Sequence, residues 1–247
     1  MLRDFFACYY KISEIYKFKE YSLKRAFIHL IILTLIFGSV QGYIKTNSLN
    51  KEFNLVINAM STWNFTIQDG KFIIEDAPKS IDINDLTIYF PKDNEKPNFD
   101  ENRGYLIIDA DKTEAYVGGS ITELPGFSFG NLSKDDFLSS LRYVNVILNT
   151  FSFILTLILF FISKIISAYF IAALINSSIT AKLLKYKFSD LFKLSFYIMT
   201  LVVTIQSIFF ALGFDMFLQV AASALFTFIS FIMLKVVLQY EFKKTHS

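Results

Sequence analysis

Four stretches of this chain, residues 26–44, 144–175, 194–212 and 216–238, are so long and so apolar that they dictate the kind of fold it can adopt. About 20 apolar residues in a helix cross the ~30 Å hydrocarbon core of a bilayer, and a helix satisfies every backbone N–H and C=O internally while doing so. With 53% of its 247 residues hydrophobic, 29 of them Phe, the chain is too oily for a water-soluble globule. The expected fold is therefore an α-helical membrane bundle of four transmembrane helices.

Between the first and second stretches lies a polar segment, 45–142, which contains Trp63 and all four prolines. It reads as an inserted β-rich α+β domain. It carries ten Lys+Arg against sixteen Asp+Glu, a net of −6, while the rest carries fourteen against six, a net of +8. The short basic flanks are Arg3, Lys11, Lys17, Lys19, Lys24 and Arg25 before the first span, Lys182, Lys185, Lys187 and Lys193 between the second and third, and Lys243 and Lys244 at the end. Under the positive-inside rule all three are cytoplasmic, so the acidic domain is extracytoplasmic. The expected layout is a cytoplasmic amphipathic helix (1–25), a first span (26–44), the outer domain (45–142), an overlong second span (143–175), a basic loop (176–193), two further spans (194–212 and 216–238) and a cytoplasmic tail (239–247).

The second span raises the question of Lys164. A helix over 144–175 is about 48 Å long, too long for one upright crossing and too short for two. The economical register crosses from Val144 to Ser163 and leaves Lys164 at the inner interface, its stem snorkelling toward water, with Lys235 at a similar depth on the last span. A competing register over 151–175 puts Lys164 in mid-membrane, where it would need a partner. Polar amides at Gln206 and Gln219 are candidates for bonding between helices.

At the N-terminus, Phe5, Tyr9, Ile12 and Tyr16 recur at helical spacing, with Asp4, Lys11, Glu14 and Lys17 toward another face. This pattern fits an interfacial helix or one packed under the bundle. The long basic region and the lack of an A-x-A site speak against a cleaved signal. Ser189-Asp190 is expected to cap the third span.

In the outer domain, "WNFTIQDGKFIIE" predicts a hairpin around Asp69-Gly70, "IDINDLTIYF" a further strand, "GYLIIDADKTEAYVGG" strand, turn and strand, and 46–62 a short helix. "LIIDADKTE" also fits the D-x-D-x-T nucleophile pattern of haloacid dehalogenases through Asp109, Asp111 and Thr113. Too little chain follows before the next span for the α/β fold that chemistry requires, so turn carboxylates are the preferred reading. The only histidines are His29 and His246, the single cysteine is Cys8, and no phosphate-cradling glycine loop is present. No catalytic set, metal centre or cofactor is expected. The basic loops are explained by orientation and anionic lipid, without nucleic acid.

The basic aromatic N-terminus "MLRDFFACYYKISEIYKFKEYSLKRAFIHLIILTLI", the stretches "WNFTIQDGKFIIE" and "LIIDADKT", and the late "LLKYKFSDLFKLSFYIMT" together resemble a bacterial family of membrane proteins, domain of unknown function 1189. That family includes a maltodextrin-utilisation membrane protein. Thr200 is followed here by Leu201 where the family often has proline, so no kink is implied in the third span. The resemblance implies a multi-pass protein of a bacterial cell membrane, a Yip-like helical bundle and a link to sugar utilisation. It brings no catalytic residues with it.

Two function classes follow as expectations. One is a non-enzymatic accessory, sensor or scaffold, in contact with the lipid bilayer and with another membrane protein such as a transporter. The other is a small transporter or channel, motivated by Lys164, Asn149, Gln206 and Gln219.

Overall fold

A computed structural model describes residues 2–69, 71–74, 80–91, 99–100, 103–108, 113–117, 119–124, 131–212 and 216–246. Among these, four helices are long and apolar enough to cross a membrane: Leu23–Ser61, Lys134–Asn176, Phe188–Ala211 and Ala221–Thr245. The chain divides into a helical unit, Met1–Thr46 with Phe151–Ser247, and a sheet-bearing unit, Asn47–Thr150.

The helical unit begins with α1 (Leu2–Tyr10) and a 3-10 helix (Ile12–Glu20), followed by α2 (Leu23–Leu33). The single amphipathic helix expected over 1–25 is thus two elements. The break falls at Lys11, whose φ of −130° and ψ of 47° lie outside the helical range. Cys8, Ile15 and Phe18 are buried in the apolar core of the unit, so the segment is packed into it. Ser22 caps α2, its side chain accepting from the Arg25 N–H at 3.3 Å. A π-helical turn, Thr34–Gly38, joins α2 to α3 (Ser39–Ser61), making one helix of 39 residues.

The second long helix, α4 (Lys134–Asn176), is followed by the short α5 (Ile179–Leu183), α6 (Phe188–Ala211) and α7 (Met216–His246). α6 is the central helix, apolar nearly all round and buried at Leu191, Leu194, Phe196 and Tyr197. It runs unbroken through Thr200-Leu201. Its first turn is capped differently from the sequence expectation: Asp190, three residues in, accepts from the Lys187 N–H at 3.3 Å, so Ser189 is already helical.

In the other unit, β1 (Phe65–Gln68) and β2 (Lys71–Ile74) form the expected antiparallel hairpin, with Gln68 opposite Lys71. Asp69 takes a φ of 51°, the left-handed value that a tight hairpin turn demands. A second sheet has the order β3 (Ser80–Ile83), β4 (Leu86–Tyr89), β5 (Gly104–Ile108), β6 (Thr113–Val117) and β7 (Ser120–Leu124). Among the described strands, only β4 and β5 pair in parallel. "IDINDLTIYF", read from sequence as one strand, is two strands around Asn84-Asp85, with Asn84 also left-handed at φ 51°. β5 alternates faces: Leu106 and Ile108 face one core, with Trp63, Phe65 and Phe137, while Tyr105 and Ile107 face a smaller one, where Phe99 stacks on Tyr116 at 4.2 Å. Each large side chain buried this way contributes about 1.5–3 kcal/mol.

Candidate functional site

Lys164 lies on α4 twelve residues before Asn176, about 18 Å along the helix axis. Its side chain is buried, and Nζ donates to Gln206 Oε1 on α6 at 2.7 Å and lies 5.2 Å from the centre of the Phe160 ring. The ammonium is thus turned into the helical unit, where the inner-edge register expects it to snorkel toward water. The partner that the competing, mid-membrane register calls for is a carboxylate. The partner found is a neutral amide, which supplies a hydrogen-bond acceptor without a counter-charge. Lys235 differs from it in environment, being exposed on α7 six residues before Glu241.

α6 carries further polar contacts below Gln206. His29 Nε2 and Thr200 Oγ1 are 2.8 Å apart in the core, with His29 packed on Tyr197 at 4.5 Å between ring centres. Tyr9 OH and Thr204 Oγ1 are 2.5 Å apart. Polar groups thus recur along α6 from Thr200 to Gln206 through a core that is otherwise apolar.

What lets α4 come close to the first long helix is a pair of glycines. A Cβ at Gly42 would lie 2.8 Å from Phe153 Cδ2, and one at Gly38 would lie 3.1 Å from Leu157 Cδ2 and 3.4 Å from Phe160. Gly38 and Gly42 form a G-x-x-x-G pair, the small-residue spacing that lets apolar helices approach closely.

At the other end of the helical unit the three basic flanks converge. Lys19 Nζ donates to Glu241 Oε1 at 2.7 Å, and Tyr186 OH donates to Glu241 Oε2. Lys193 Nζ donates to the backbone carbonyls of Lys19 and Tyr21, the latter at 3.0 Å, and pairs with Asp190 at 3.0 Å. Burial, with the adjoining Glu241 carboxylate, pushes the Tyr186 phenol well above its ordinary range.

In the sheet-bearing unit, Asn50 Oδ1 accepts from Asn145 Nδ2 at 2.7 Å, and Asn149 Nδ2 donates to Asn145 Oδ1 at 2.8 Å. Asn149, one of the residues that motivate the transporter expectation, is bonded into this amide cluster. Asp109 and Asp111 lie outside the described residues, as does the side chain of Gln219. The flanks of the D-x-D-x-T stretch are informative nonetheless. β5 and β6 pair antiparallel with Ile108 opposite Thr113, whereas the dehalogenase reading requires a parallel α/β sheet. Among the described residues, no group of three His, Cys, Asp or Glu side chains is arranged to hold a metal ion.

No curated protein and no solved structure matches the chain. Residues 2–238 match the model of the family described as Protein of unknown function (DUF1189), and the chain belongs to that family.

Proposed function

We propose that this chain is a four-span membrane protein that serves as a non-enzymatic accessory, sensor or scaffold of a membrane assembly. Both termini and the 176–193 loop lie on the cytoplasmic side, and the acidic sheet-bearing segment lies outside. The orientation is supported by the convergence of Lys19, Tyr186, Lys193 and Glu241, which brings all three basic flanks to one end of the helical unit.

The accessory role rests on one observation. In the most apolar eighteen-residue window of α4, only 6% of residues are buried, against 61% in α6. Ile154, Ile158, Ile162 and Ile166, spaced by one helical turn, are all exposed. In this reading that face is where a neighbouring membrane protein docks, and the outer unit meets an envelope component.

The test is site-specific photo-crosslinking from Ile154, Ile158 and Ile166 in native cells, with mass spectrometry of the adducts. One recurrent membrane protein joined to all three positions supports the accessory role; adducts to lipid alone overturn it. A thiol reagent that cannot cross membranes leaves Ser189→Cys unmodified in a Cys8→Ser background; labelling from outside would overturn the orientation. Growth of a deletion strain on maltodextrin tests the sugar link implied by the resemblance.

A second reading, a small transporter or channel, is favoured by the buried Lys164–Gln206 pair, because ionisable groups inside spans commonly mark ion or substrate paths. Flux through proteoliposomes of the purified chain, lost in Lys164→Ala, would select it.

A further inference from the structure

Lys164 brings an ammonium group with three N–H donors into an apolar layer, where it donates to one amide oxygen, Gln206 Oε1. Two other buried polar side chains lie in the same helical unit. The Thr34 and Ser207 hydroxyls are buried without a hydrogen-bond partner, in residues 6% and 4% exposed. Other helical hydroxyls of the unit satisfy themselves by donating to the carbonyl four residues back, as Thr156, Ser195, Thr204 and Ser230 do at 2.8–3.0 Å. Thr34 and Ser207 do not.

The register between helices sets Thr34 level with Lys164. On the antiparallel pair of long helices, Gly42 meets Phe153 and Gly38 meets Leu157 and Phe160. Each residue back along the first helix is matched by one residue forward on α4, so four residues below Gly38 the facing positions are 161–164. α2 runs parallel to α6, with Phe27 on Phe196 and His29 on Thr200, which places Thr34 near 205. Thr34 opens the π-helical turn, a widening of the helix that recurs at functional sites. Three helices therefore contribute an ammonium, two hydroxyls and an amide to one level.

We infer that this layer binds a small monovalent anion, a halide or a carboxylate, held by the Lys164 ammonium and by hydroxyl donation from Thr34 and Ser207. Among the described residues, no carboxylate pairs with Lys164, and a buried charge without a counter-charge costs several kcal/mol. An anion supplies the missing charge and takes up the unused N–H and O–H donors. Gln206 turns its oxygen to Lys164 and leaves its N–H₂ as a further donor. The inference stands whether the chain acts alone or beside a partner.

The experiment is thermal unfolding of the full-length protein in mild detergent at neutral pH and constant ionic strength. Sodium gluconate is replaced stepwise by sodium chloride, bromide or acetate. The wild type gains stability saturably with at least one of these anions, and the identity of that anion separates a halide site from a carboxylate site. Lys164→Met, which fills the layer with an apolar chain of similar length, loses the response. Thr34→Val and Ser207→Ala each shift the half-saturating concentration upward about tenfold, and either still reads the site if Lys164→Met does not fold. Lys243→Ala/Lys244→Ala, which alters only the tail, keeps the wild-type response. A wild type indifferent to all three anions, or an equal response in Lys164→Met, overturns the proposal.

Discussion

Lys19 Nζ donates to Glu241 Oε1 at 2.7 Å across 222 residues of sequence, so the N-terminal segment and the last helix are fastened by one carboxylate. Glu241 is buried, and its second oxygen accepts from Tyr186. Glu241→Ala leaves both donors without an acceptor. Hydrogen bonds to a charged group contribute about 1.5–3 kcal/mol, and the Lys19 share is reduced because its side chain is 32% exposed. The expected loss is about 2 kcal/mol, measured by denaturant unfolding in mild detergent. Glu241→Gln, whose amide oxygen still accepts from Tyr186, loses about half as much; a wild-type curve for Glu241→Ala would refute the fastening.

The same carboxylate sets a dependence on alkaline pH. Burial, then the bond to Glu241, raises the Tyr186 phenol above its ordinary value of 10.0 in the folded protein. The folded state therefore holds a proton that the unfolded chain releases. Its contribution to stability is complete below pH 10 and declines as pH rises beyond it. Tyr186→Phe abolishes this decline, so the stability difference between wild type and variant narrows above pH 10. Parallel curves for the two proteins between pH 8 and 11 would contradict it.

What could be read in advance was what is encoded locally. Long apolar runs specify helices by composition alone, and Asp69-Gly70 between β-forming residues specifies its hairpin by turn chemistry. The Asn84-Asp85 turn carried the same kind of signal, but the apolar residues around it read as one strand. The position of Lys164 was different, because it depends on a residue 42 positions away on another helix. Gln206 is legible in the sequence as an amide that bonds between helices, but an amide carries no charge signature that would join it to Lys164. Gly38 and Gly42 were visible as a motif, but their meaning requires knowing that Phe153 faces them.

Asn84 offers a test within the sheet-bearing unit. Its φ of 51° is costly for most side chains, and Arg103 Nη2 donates to its carbonyl at 2.9 Å while Nη1 donates to Asp82 at 3.2 Å. Asn84→Gly keeps the turn and stays within a few tenths of wild type. Asn84→Val, β-branched and disfavoured in the left-handed region, lowers stability by about 1–2 kcal/mol or more. Limited proteolysis of the full chain reads both, with faster cleavage expected in Asn84→Val alone.

Gly42 and Phe153 provide the sharpest test of the close helix approach. An alanine methyl at 42 would lie 2.8 Å from Phe153 Cδ2 and 3.0 Å from Cε2, so the ring must move. Alanine also gains about 1 kcal/mol of helix propensity over glycine, while overpacking costs about 1–3 kcal/mol. Gly42→Ala is therefore mildly destabilising and Gly42→Leu strongly so. Removing the obstacle should reverse the effect, so in a Phe153→Ala background Gly42→Ala becomes neutral or stabilising. A double-mutant cycle on unfolding in detergent then gives a coupling of about 1 kcal/mol or more. Additive effects would mean that the ring yields freely and that the glycine pair does not set the spacing of α3 and α4.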